Sequence, residues 1–146
     1  MWGGGYALIK ESIVLWLHQQ PERNDTGLTD YKIHCFHGEP KVVLVCRDRY
    51  GAEGLTEDFF TPKWKHLNVR REEHGNSKLS IDKPNSLEMM VELSMRLAKE
   101  IPFVRVDFYD INGKPYVGEM TLYPAYGFRS FIPSSFDRKM GEWIRI

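Results

Sequence analysis

The sequence predicts an α+β fold, in which helices pack on one face of an antiparallel sheet. Two hairpin patterns, at residues 30–47 and 103–121, flank one amphipathic helix at residues 86–100. Alternating apolar and polar side chains are typical of half-buried strands, and apolar residues three or four positions apart are typical of a helix with one buried face. A chain of 146 residues has an ordinary single-domain length, so we treat 1–146 as one domain.

Composition excludes several classes of function. Twenty basic residues balance twenty acidic ones, so no overall charge attracts nucleic acid or a membrane surface. A nucleic-acid module that stacks bases on Trp64, Tyr109 and Tyr116 is disfavoured for this reason. No apolar run approaches the length of a membrane span. Two cysteines, Cys35 and Cys46, fit a reducing compartment, and we expect a cytoplasmic protein.

The first half of the chain contains one clear hairpin. Residues 7–20 form a dense apolar run whose periodicity does not separate helix from strand, although its length favours a helix. Alternation at 30–36, a turn at 37–40 and a buried pattern within 41–47 predict two paired strands. Residues 50–79 are predicted to be a long polar loop, which in a compact domain is usually functional or mobile.

The helix at residues 86–100 is the clearest element. Asn85 or Ser86 can cap its first turn, and Pro102 ends it. Its apolar stripe consists of Leu87, Met90, Val91, Leu97, Ala98 and Ile101. Such a stripe predicts that the helix is buried against the sheet along one side.

The second hairpin carries the side chains that are the best candidates for a chemical role. A two-residue turn at Asn112 and Gly113 would pair Ile111 with Lys114 and put Asp107 and Glu119 on opposite faces. A three-residue loop with a bulge at Gly113 would put them on one face. We predict the three-residue loop, because it also leaves the apolar residues of the first strand together on the core side.

Two carboxylates on one face suggest a divalent cation. Such groups repel each other unless a cation lies between them, which indicates Mg²⁺ or Mn²⁺. The alternative is that Arg105, Asp107 and Glu119 form a solvated cross-strand ion network with no metal.

The order of hairpin, polar segment, helix, acidic hairpin and Pro/Gly-rich loop resembles the C-terminal lobe of an ATP-grasp fold, which clasps ATP between antiparallel sheets. The resemblance is carried by DYKIHCFHGEPKVVLVCRDR at 30–49, FVRVDFYDINGKPYVGEMTLYPAYG at 103–127 and FIPSSFDRKMGEWIRI at 131–146. These segments are most similar to the TupA-like branch, which is associated with teichuronopeptide and cell-surface polysaccharide synthesis. The family's N-terminal lobe, with its glycine-rich loop, has no counterpart here, so we expect a fragment or a reduced relative.

The resemblance implies a catalytic and a metal-binding set. Lys32 and one of Arg47 and Arg49 would face the nucleotide phosphates or the acyl phosphate during catalysis. Asp107 and Glu119 would hold the Mg²⁺ that bridges the ATP phosphates. Phosphoryl transfer needs such metal and cationic groups to offset charge, and it needs no side-chain nucleophile.

Three further residues complete the implied site. Thr121 stands where many ATP-grasp enzymes have a metal-binding Asn, and its hydroxyl can still coordinate Mg²⁺ or a bound water. Glu11 would lie near the adenosine, and Arg105 joins Lys32 as a candidate ATP-binding residue. The resemblance therefore implies ATP and Mg²⁺ as cofactors.

The function implied by the resemblance is an ATP- and Mg²⁺-dependent carboxylate–amine ligase domain acting on cell-surface polymer precursors. The sequence does not identify the carboxylate or the amine. The alternative is a non-catalytic ATP-grasp remnant that serves as a structural or interaction domain. We expect this chain by itself to bind Mg-ATP feebly.

Overall fold

The computed structural model describes residues 27–122, 124 and 129–144. These residues form the strands β1 (Asp30–Phe36), β2 (Glu39–Arg47), β3 (Thr56–Phe60), β4 (His66–Leu67), β5 (Arg70–Arg71), β6 (Phe103–Ile111), β7 (Lys114–Thr121) and β8 (Phe131–Ile132), and the helices α1 (Leu87–Leu97) and α2 (Ser135–Glu142). The predictions for the apolar run at 7–20, for Glu11 and for most of the Pro/Gly-rich loop lie outside the described residues.

The α+β class is confirmed, and the two predicted hairpins belong to one sheet. The described strands form a six-stranded sheet in the order β4-β3-β2-β1-β6-β7 and a two-stranded sheet of β5 and β8. All of the pairings are antiparallel. β1 lies between its hairpin partner β2 and the distant strand β6, so it joins the two halves of the chain.

The prediction of a long loop at 50–79 is wrong, because β3 pairs with β2 inside this segment. Phe59 and Phe60 are buried, but the two preceding residues, Glu57 and Asp58, are buried carboxylates. Their charge made the strand look like a polar loop in the sequence. Each acid is held by partners elsewhere in the fold, so the strand can tolerate their burial.

One face of the six-stranded sheet is covered by α1, as predicted. Leu87 and Met90 of the helix pack against alternate residues of three neighbouring strands, which are Ile33, Cys35, Val43, Val45, Val104, Val106 and Phe108. Burial of each large apolar side chain contributes roughly 1.5–3 kcal/mol, which is sufficient to fix the helix on the sheet. We call this the helix α1 face.

The other face combines an apolar cluster with charged side chains. Phe136 of α2 and Phe131 of β8 pack against Val42, Leu44 and Phe59. Leu44 is the Cα partner of Lys32, so Lys32 lies on this face rather than on the helix α1 face. We call it the charged face. Among the described residues, no helix is long and apolar enough to cross a membrane.

Candidate functional site

The turn of the second hairpin differs from the prediction. Ile111 pairs with Lys114, so Asn112 and Gly113 form a two-residue turn. Both have positive φ angles, 52° and 72°, as the favoured two-residue hairpin turns require. The predicted three-residue loop is therefore wrong, because Asn tolerates the left-handed conformation and one additional residue is not needed.

A bulge further along β7 nevertheless brings the two acids together. Phe108 pairs with Val117 and Asp107 pairs with Glu119, so Gly118 has no Cα partner. A continuous ladder from the turn would have placed Gly118 opposite Asp107. The extra residue moves Glu119 onto the face of Asp107. The two acids share a face, as expected, but the bulge lies at a different place from the one predicted.

Asp107 is held by two cations. Lys32 Nζ donates to Asp107 Oδ2 at 2.6 Å. Arg105 Nε donates to Oδ1 at 2.7 Å, and Arg105 Nη2 donates to Oδ2 at 2.8 Å, in a bidentate pair. Asp107 is only 4% exposed. The predicted solvated ion network is therefore a partly buried one, in which these charges interact more strongly than they would in water.

Thr121 takes part in the same network. Arg105 Nη2 donates to Thr121 Oγ1 at 3.3 Å, and the two residues are Cα partners. Its hydroxyl therefore lies beside the carboxylate pair, as expected from its position two residues after Glu119. The two cations Lys32 and Arg105 balance the charges of Asp107 and Glu119 when these acids are ionised.

A second polar group borders the site. Arg49 Nη2 donates to Asp30 Oδ2 at 2.9 Å, and the Tyr109 phenol lies beside the same carboxylate. Burial, and then the negative charge of Asp30, raises the pKa of Tyr109, so its phenol stays protonated at neutral pH. Asp30 and Tyr109 were not among the predicted site residues. Asp30 is two residues from Lys32 and Tyr109 is two residues from Asp107, and residues two apart in a strand lie on the same face, so the sequence did contain this signal.

Arg47 is not on the charged face. It alternates with Val43 and Val45, whose side chains lie in the helix α1 core, and its charge acts on Tyr31 there. Of the two candidate arginines, only Arg49 therefore lies at the charged face together with Lys32 and Asp107. The sequence could not separate them, because both follow the last buried residue of the strand.

His34 is a further buried group on the charged face. It is 2% exposed, and its Nδ1 has no hydrogen-bond partner. Burial, together with the charges of Arg105, Arg71 and Lys32, lowers the pKa of His34 to about 3. The ring is thus neutral at physiological pH.

The donor set of Asp107, Glu119 and Thr121 fits Mg²⁺ in chemical type, since Mg²⁺ prefers oxygen ligands and is held by one or two carboxylates together with substrate phosphates. Within the described residues, no group of three or more His, Cys, Asp and Glu side chains is arranged to hold a metal by itself. The carboxylate pair could therefore supply only part of the ligand set of a metal ion.

A cleft of about 430 Å³ lies on the opposite side of the sheet. Tyr31, Asp82, Lys83 and Asp110 are among its lining residues, and none of the predicted site residues is. Its two carboxylates against one lysine make it a poor place for a polyphosphate. The charged face is therefore a better candidate for phosphate binding than this cleft.

A six-stranded antiparallel sheet with a helix on one face and paired acids and cations on the other is consistent with an ATP-grasp type of domain. The family model described as TupA-like ATPgrasp matches residues 4–145, and the chain belongs to this family. No curated protein and no solved structure matches the chain.

Proposed function

We propose that this chain forms part of an ATP- and Mg²⁺-dependent carboxylate–amine ligase acting in cell-surface polysaccharide or teichuronopeptide synthesis. The observation that carries the proposal is the direct pairing of Asp107 with Glu119 beside Lys32 and Arg105. Membership of the TupA-like ATP-grasp family supports it. The free, buried thiols of Cys35 and Cys46 support a cytoplasmic location.

The residues of the charged face have separate roles in this proposal. Asp107, Glu119 and Thr121 would hold Mg²⁺, which offsets the charge of the ATP phosphates. Lys32 and Arg105 would donate hydrogen bonds to the phosphate oxygens, where negative charge must be balanced during phosphoryl transfer. Arg49 would act at the edge of the same face, where it now pairs with Asp30.

The same geometry implies that free metal binds weakly. Both oxygens of Asp107 already accept hydrogen bonds from cations. A metal ion that approaches alone must displace a bidentate arginine from a buried carboxylate. A metal–nucleotide complex brings phosphates that can accept the displaced hydrogen bonds of Arg105 and Lys32. We therefore expect metal and nucleotide to bind together far better than either binds alone.

A second candidate function is favoured by the same ion pairs. Lys32 and Arg105 both pair with Asp107, and the same ion pairs would serve in a purely structural network. The chain would then be a non-catalytic ATP-grasp remnant with a structural or interaction role.

Nucleotide titration separates the two candidates. The affinity of the chain for ATP is measured by calorimetry with excess Mn²⁺ and again with EDTA, and we call the ratio of the two affinities the metal-dependent gain. The ligase proposal predicts weak Mn-ATP binding with a gain of tenfold or more. Asp107→Asn should abolish the gain, and Glu53→Gln, which changes an exposed carboxylate, should leave it unchanged. A gain near one in the unchanged protein would support the remnant.

A further inference from the structure

The β-bulge in β7 has a close neighbour. A Cβ atom at Gly118 would lie 2.8 Å from Cε2 of the Tyr109 ring and 3.5 Å from its Cδ2. The first distance is shorter than van der Waals contact allows, so any side chain at 118 would collide with the ring. The φ angle of Gly118 is not in the left-handed region. The position therefore requires glycine for space and not for backbone freedom.

The Tyr109 ring is itself held from the other side. Its phenol lies beside the Asp30 carboxylate of β1, and Asp30 is itself held by Arg49 at 2.9 Å. The side chain thus reaches from β6 to β1 with its hydroxyl, while its ring lies over the bulge of β7. The ring itself, rather than the hydroxyl, makes the close approach to Gly118.

We propose that Tyr109 and Gly118 are positioning residues for the metal site. The ring packed over the glycine holds the bulge that places Glu119 opposite Asp107. If the ladder continued from the turn without the bulge, Glu119 would lie opposite Val106 and point to the core. The inference rests on the proposed function, because it concerns the carboxylate pair assigned there.

Four variants test the inference: Gly118→Ala, Tyr109→Phe, Tyr109→Ala and the double variant Gly118→Ala/Tyr109→Ala. For each, the metal-dependent gain is measured as above, together with the metal-free ATP affinity and the melting temperature. A loss of fold would lower both affinities. A misplaced Glu119 lowers only the affinity that depends on metal.

Gly118→Ala should lower the gain at least fivefold and leave the metal-free affinity within twofold. Tyr109→Phe keeps the ring over the glycine and should keep the gain within twofold. Tyr109→Ala removes the ring and should lower the gain about threefold. In that background, Gly118→Ala should add less than a twofold loss, since the ring it would strike is gone.

Two results would overturn the inference and leave the proposed function intact: an unchanged gain in Gly118→Ala, or an equal loss from Gly118→Ala with and without the ring. If Gly118→Ala does not fold, the pair Tyr109→Phe and Tyr109→Ala decides, and equal gains in these two would overturn it. Absence of any gain in the unchanged protein would instead overturn the proposed function, and the inference with it.

Discussion

Two buried carboxylates on the charged face, Asp107 and Glu57, have similar surroundings. Asp107 is 4% exposed and Glu57 is 2% exposed, and each is contacted by two cations. They differ in what lies directly opposite. Asp107 faces a second carboxylate, Glu119, whereas Glu57 faces Cys46 of β2. Burial with cationic partners therefore does not by itself indicate a metal site, and the opposed second acid is what distinguishes the pair that we propose to hold the metal.

The cations also come from different places. Arg105 belongs to β6, the strand of Asp107 itself, and Lys32 belongs to the neighbouring strand β1. Arg71 and Arg129, the partners of Glu57, come from β5 and from the segment before β8. Arg71 also stacks on Phe131, 4.2 Å from its ring centre, and donates to the Arg129 carbonyl at 3.0 Å. Glu57, Arg71 and Arg129 therefore form a cluster that connects the two-stranded sheet to the six-stranded one, and we assign this Glu57 cluster a structural role.

The largest expected effect comes from Glu57→Gln. Removing its charge leaves two arginines without their shared anion, and breaking a buried ion pair in this way costs about 3–5 kcal/mol. Denaturant unfolding should show that loss, while the metal-dependent gain of the folded protein should stay within twofold. Glu73→Gln, at the exposed partner of Arg129, is the matched control and should change stability little. A stable Glu57→Gln protein that has lost the gain would reverse the two assignments.

The next effect depends on pH through His34, which lies between the two clusters. Its pKa is lowered to about 3 in the folded chain, from about 6.5 when unfolded. The unfolded chain therefore binds more protons in this range, so the stability that His34 contributes is complete above pH 6.5 and is lost as the pH falls. The free energy of unfolding should fall by about 1.4 kcal/mol for each pH unit below 6.5.

Denaturant unfolding at a series of pH values measures this effect. The variant His34→Gln, which carries a neutral side chain at every pH, should show a flatter profile between pH 6.5 and 4.5. Parallel profiles for the two proteins would show that His34 does not titrate as described.

A smaller effect is expected for Arg105→Gln, which should raise the affinity for free Mn²⁺ and lower the affinity for Mn-ATP. Without the bidentate arginine, Asp107 is easier for a free metal to reach, so Mn²⁺ alone should bind several-fold tighter by electron paramagnetic resonance. The same change removes a donor to the phosphates, so Mn-ATP should bind about tenfold weaker. Losses of both affinities would indicate simple structural damage and would contradict the proposed exchange of partners.

The smallest effect is expected at the pair Lys78 and Glu53, which is exposed on both sides. Solvent screens such a pair, and the entropy of ordering two long side chains offsets its attraction. Lys78→Met should leave the melting temperature unchanged within error in low salt. A clear shift would mean that exposed ion pairs matter more in this fold than the two buried clusters suggest.

The sequence predicted much of this architecture because its signals are local. The spacing of apolar side chains along the chain indicates the strands at 30–36 and 103–110 and the apolar stripe of α1. The structure confirms those elements. β3 was missed because Glu57 and Asp58 find their partners far along the chain. The bulge at Gly118 was missed because its cause, the Tyr109 ring above it, is a contact between strands.

The central claim is that the metal–nucleotide complex binds at the Asp107 and Glu119 pair. Paramagnetic broadening of backbone amide signals by Mn-ATP tests it most directly, because the effect falls steeply with distance from the metal. The account predicts the strongest broadening at residues 105–107 and 119–121, with clearly weaker effects at Glu57 and at Asp82 beside the opposite cleft. Strongest broadening at Glu57 or Asp82 would contradict the account.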